Sequence, residues 1–136
     1  MAEPLDVDGI RRRARAQPPE RALGELLLDQ RVVAGIGNIW RCEALWAEHL
    51  SPWTSVGELD DDRLDALVGT AGRLMRANLG PSGPLSGRDG PVGRPERHRV
   101  YGRAGRPCPR CSTPIQARAQ GQHARTAYWC PACQTA

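Results

Sequence analysis

Two cysteine pairs near the C-terminus, Cys108-Pro-Arg-Cys111 and Cys130-Pro-Ala-Cys133, are separated by 18 residues. A C-x2-C-x18-C-x2-C spacing lets two tight knuckles close on one tetrahedral Zn²⁺, each giving two thiolates. Between the pairs the large apolar side chains are Ile115, Tyr128 and Trp129, set among Gln116, Arg118, Gln120, Gln122, His123 and Arg125. That is too little apolar surface to fold unaided. Metal ligation must then supply the folding energy, on the order of 10–16 kcal/mol in zinc-finger peptides. The expectation is one structural Zn²⁺ held by Cys108, Cys111, Cys130 and Cys133. Two disulfides would satisfy the same spacing in an oxidising compartment. The start Met1-Ala2-Glu3-Pro4 lacks the basic and apolar stretches of an export signal, so reduced thiols and a cytoplasmic location are expected.

All 19 basic residues of the 136-residue chain are arginine, and the net charge is +4. Charge placement says more than its sum. Nine arginines lie between Arg88 and Arg125 against only Asp89 and Glu96, whereas the other acids fall within the first 65 residues. A basic half beside a zinc ribbon points to a polyanionic partner such as nucleic acid. An arginine-only chain is equally what a GC-rich genome would encode. No apolar run approaches the roughly 18 residues of a membrane span, so no membrane partner is expected.

Helical periodicity organises the first half. Asp6 or Asp8 caps a first helix that carries Ile10 and Ala14 and stops at Pro18-Pro19. A second runs from Glu20 to Leu28, and a third from Ile39 to His49 before Ser51-Pro52. Asp60 caps a fourth, whose Leu64, Leu67, Val68, Ala71, Leu74 and Met75 form one apolar stripe. Cys42 reads as a small buried hydrophobe. From Gly80 to Arg97 the chain turns to Gly, Pro, Ser and Arg with little to bury. Val100-Tyr101 is expected to begin the ribbon's first strand, and Thr126 to Trp129 to form its last. The fold expected is mainly α with a small β zinc ribbon, arranged as a helical domain (1–79), a linker or loop (80–99) and a ribbon (100–136).

Between the second and third helices lies Asp29-Gln30-Arg31-Val32-Val33-Ala34-Gly35-Ile36-Gly37-Asn38. Two glycines one residue apart interrupt the helical pattern and allow successive tight turns. Gly37 has no side chain to block an anion, and the first amides of the next helix point outward at a positive dipole end. Asn38 either caps that helix or donates its side-chain amide to a phosphate oxygen.

This segment resembles the helix–two-turn–helix of the formamidopyrimidine-DNA glycosylase/endonuclease VIII family. The stretch from Val100-Tyr101-Gly102-Arg103 through Cys108 to Cys133-Gln134 is similar to that family's zinc finger. The resemblance implies that Gly37 and Asn38 hold phosphates beside a damaged nucleotide. It also implies that Arg125, five residues before the third cysteine, holds phosphates from the hairpin tip, with Gln30 near the same backbone. Arg118 and His123 are read as solvated hairpin residues.

Family members begin Met-Pro-Glu, and use the proline amine as nucleophile and a lysine from a β-rich N-terminal domain. Here residue 2 is Ala2 and no lysine occurs. The expectation is therefore the C-terminal half of a base-excision-repair glycosylase and abasic-site lyase, endonuclease VIII-like and truncated. It would bind double-stranded DNA with damaged or abasic sites as a monomer, catalytically incomplete without a separate N-terminal catalytic domain. Set against it is a free-standing, non-catalytic zinc-ribbon module for DNA or protein contacts.

Overall fold

The computed structural model describes residues 6–33, 35–77, 98–121 and 124–135. Helix α1, Val7–Arg15, is capped by Asp6, whose side chain accepts from the Gly9 N–H at 3.0 Å. Its buried face carries Ile10 and Ala14. Helix α2 spans Leu23–Leu28 and starts three residues later than its sequence suggests. The reason is tertiary. Pro18 O accepts from Arg21 N in a turn, and the first amides of α2, Leu23 and Gly24, donate to Thr54 O and Pro52 O. A neighbouring loop thus caps this helix in place of a side chain.

Helix α3, Asn38–Ala47, packs on helix α4, Asp61–Ala77. Asp60 caps α4 through a 2.8 Å bond from Arg63 N. Along α4, Leu64, Leu67, Val68 and Ala71 are buried, and Leu74 and Met75 pack partly buried against the same cluster. The i, i+3, i+4, i+7 stripe therefore faces one core shared with α1, α2 and α3. Each fully buried Leu there stabilises by roughly 1.5–3 kcal/mol. Among the described residues, no helix is long and apolar enough to cross a membrane.

The ribbon is a two-stranded antiparallel hairpin, β1 Gln116–Gln120 and β2 Arg125–Trp129, with Gln116 opposite Trp129 and Gln120 opposite Arg125. Val100 and Tyr101 do not begin a strand. They sit in a bend whose amides, with that of Arg99, all donate to the Glu43 carboxylate of α3 at 2.9–3.1 Å. A buried carboxylate outcompetes a partner strand for these donors. Cys42 is buried against Val100, Cys108, Ile115 and Cys130, so α3 also forms one wall of the ribbon's core. Most of the expected linker, residues 80–97 of 80–99, lies outside the described residues, as do Gln122 and His123 between the two strands.

Candidate nucleic-acid interface and metal centre

The two turns between α2 and α3 are built by local hydrogen bonds and pinned by apolar burial. Asp29 O accepts from Val32 N and Val33 N, while Asp29 Oδ1 accepts from Arg31 N at 2.9 Å. Val32, Val33 and Ile36 are buried and anchor the turns to the core. Gln30 folds back so that its Oε1 accepts from Gly35 N at 3.2 Å. Gly35 has φ +91°, the left-handed region that favours glycine. Gly37 does not need its freedom: φ is −87°, and a Cβ there would meet nothing within 4 Å. Its missing side chain leaves open space at the start of α3, where no side chain caps the first amides.

A groove of about 690 Å³ runs between these turns and the hairpin. Gln30, Gly37 and Arg125 all line it, so three of the four residues singled out for DNA contact lie on one surface. Three arginines, Arg21, Arg31 and Arg125, face two carboxylates, Glu25 and Asp29, around this groove. Asp29 is already committed. Its side chain is 7% exposed and pairs with Arg21 at 2.7 Å and Arg31 at 3.0 Å. Hydrogen bonds from Arg31 and Arg21 hold its carboxyl well below the usual range.

Asn38 is placed differently. Its side-chain amide donates to Thr126 O at 2.9 Å, and its Oδ1 accepts from Arg41. It thus latches α3 to the hairpin, and Gly37, not Asn38, is the N-cap residue. Arg118 is exposed, with its guanidinium 5.1 Å from the Trp53 ring centroid.

Sequence reasoning missed Arg41 and Glu43. Both read as polar positions on an amphipathic helix, yet their exposures are 0% and 6%. Only Asn38, at i−3 from Arg41, is a local partner, accepting through its Oδ1. The remaining acceptors and donors come mostly from the distant hairpin and the 99–101 bend.

The four cysteines converge. Their Sγ atoms all lie within 4.8 Å of one another, with 3.7 Å between Cys108 and Cys133 and 3.4 Å between Cys111 and Cys130. Tetrahedral Zn–S bonds of about 2.3 Å imply an S···S separation near 3.8 Å, so this donor set fits such an ion. Burial would push the Cys108 thiol up, but the Trp46 indole N–H and the Arg110 and Cys111 amides outweigh it and bring it down to about 6. Cys133 is pushed up to about 12, by burial first and then by the sulfurs of Cys130 and Cys108. Four sulfurs this close cannot all ionise without a cation among them. Trp46 Nε1 donates to Cys108 Sγ at 3.3 Å, and Arg110 stacks 3.7 Å from the centroid of the same ring. The centre is therefore oriented by α3 from behind.

Residues 1–84 match the family model described as the formamidopyrimidine-DNA glycosylase H2TH domain. A relative named probable endonuclease 8 2, from Streptomyces coelicolor, is 46% identical over 127 residues, covering 88% of this chain and 42% of its own length. The crystal structure of MutM (Fpg) from Thermus thermophilus is 36% identical with a TM-score of 0.77, covering 94% of this chain and 49% of that one. Lactococcus lactis Fpg, non-covalently bound to DNA containing an AP site, has a TM-score of 0.77 at 26% identity, covering 96% of this chain and 46% of that one. The chain thus spans less than half the length of these relatives.

Proposed function

Because the chain belongs to the formamidopyrimidine-DNA glycosylase/endonuclease VIII family, we propose that these residues grip damaged DNA for a base-excision-repair glycosylase and abasic-site lyase of the endonuclease VIII type. The partner is double-stranded DNA carrying an abasic site or a damaged base, bound by one copy of the chain at the nucleoid. One observation carries the reading: the Gly37 turn and the hairpin's Arg125 line the same groove, with more guanidinium than carboxylate around it. The sugar-phosphate backbone suits such a surface, because backbone amides at a helix start and arginine forks both bind phosphate oxygens. Gly37 keeps the approach open, and the backbone amide of Asn38 joins the uncapped first turn of α3. Gln30 supports the same strand from the preceding turn.

In this reading the four cysteines take one structural Zn²⁺, which supplies folding energy and holds Arg125 at the tip of a stiff hairpin. No bond-breaking step is assigned to these residues. They position the duplex.

Duplex affinity measured against salt tests the reading. The parent chain should lose affinity steeply as salt rises, through counterion release. Arg125→Ala should weaken binding to all sequences alike and flatten the log–log slope by about one. Identical affinities and slopes for parent and variant would remove Arg125 from the phosphate contacts.

A further inference from the structure

Behind the groove sits a cation that this grip does not use. Arg41, from α3, is fully buried at 0% exposure, and among the described residues its hydrogen-bond acceptors are all uncharged. Its Nε and one terminal nitrogen donate to Asn38 Oδ1. The other terminal nitrogen donates to Gln120 Oε1 at 2.6 Å, with Gly24 O more distant at 3.5 Å. Thr126 O and Arg125 O accept weakly at 3.2 and 3.4 Å.

A buried charge without a counter-charge is expensive, and a packed apolar residue would stabilise such a position better. The surroundings are nevertheless shaped to receive it. Gly24 carries no Cβ, and one built there would lie 2.1 Å from Gln120 Oε1 and 3.0 Å from an Arg41 nitrogen. Gln120 is in turn held by donating to Pro52 O at 2.8 Å. One guanidinium therefore ties α2, the start of α3 and both strands of the hairpin at the point where Arg125 begins β2.

We propose that Arg41 is a positioning residue for the phosphate grip, its planar fork setting the Arg125 end of the hairpin against the Gly37 turn. The proposal rests on the DNA-binding reading above. Arg41 touches no phosphate itself; it acts through Arg125, and its fork matters more than its charge.

Fluorescence anisotropy on the full chain, with a duplex containing an abasic-site analogue, tests this across a salt series. Arg41→Met should lower the salt slope by about one, as Arg125→Ala does. The double variant should bind within about twofold of Arg125→Ala alone, because coupled positions are not additive. Arg41→Lys, which keeps the charge, should not restore the slope, since one ammonium cannot span Asn38, Gln120 and Thr126. Full rescue by Lys, or additive losses in the double variant, would overturn the proposal. If Arg41→Met does not fold, Gln120→Met removes the 2.6 Å acceptor without changing charge, and an unchanged slope there overturns it equally. Arg125→Ala without effect would instead sink the groove reading, whereas its loss beside a silent Arg41→Met defeats only the role of Arg41.

Discussion

The helical body and the ribbon are held together by different physics, and the difference shows in what each one buries. The body's apolar cluster contains seventeen buried side chains among the described residues, from Ile10 to Ala71. The ribbon's cluster has five, and three of them are cysteines, one lent by α3. Hydrophobic transfer suffices for the first. The second has far less apolar surface, Val100 and Ile115 with Trp46, Tyr101 and Tyr128 partly buried against them, and four sulfurs that could hold a metal ion. On the proposed reading that ion offsets the chain entropy of two knuckles and a hairpin. Polar groups from α3 then join the two parts, Arg41 to the hairpin and Glu43 to the bend before it. One helix faces an apolar core on one side and a polar, cysteine-bearing module on the other.

The most severe test of this contrast is Cys130→Ser. It should abolish stoichiometric metal binding and with it the ribbon, forfeiting binding energy on the order of 10 kcal/mol. The helical far-UV signal should survive, because the body's cluster contains none of the four ligands. Collapse of that signal together with the metal content would show one cooperative unit and break the contrast.

Glu43→Gln probes the joint. The carboxylate accepts from three successive amides, so its replacement should cost about 1–3 kcal/mol. Hydrogen exchange should quicken at Arg99, Val100 and Tyr101 and stay unchanged along α4. Uniformly faster exchange in both places would mean that Glu43 serves the body's core instead.

Asp29 should give the smallest effect, and a pH-dependent one. Its folded pKa is depressed by Arg31 and Arg21, so its contribution is fully present above the unfolded value of about 3.9. That contribution fades as pH falls below this value toward the folded pKa. Arg31 is 82% exposed, so solvent screening keeps the effect modest. The urea midpoints of the parent and Asp29→Asn should therefore differ near pH 6 and converge toward about pH 2. A gap that stays constant over this range would leave the ion pairs without a stabilising role.

Much of this architecture was legible beforehand. The α4 stripe, the Asp60 cap, the burial of Cys42 and the meeting of four cysteines all follow from local rules. Spacing along a helix fixes which residues share a face, and ligand spacing fixes which sulfurs can meet. The start of α2 and the fate of Val100-Tyr101 did not follow, because their amides are satisfied by carbonyls or a carboxylate far away in the chain. Asn38 offered two local roles, and its side chain takes a third, holding Thr126 O across 88 positions of sequence.

Periodicity and cysteine spacing thus carried the helices and the sulfur cluster, since each rests on contacts within a few residues or on ligand chemistry alone, while the family relationship came from the likeness of whole motifs. Where the hairpin sits, and which polar side chains are sealed beneath it, was decided only when the chain closed on itself. Arg41 illustrates why. A guanidinium on a helix surface and one sealed under a hairpin have the same neighbours in sequence, and only long-range packing removes the water from one of them.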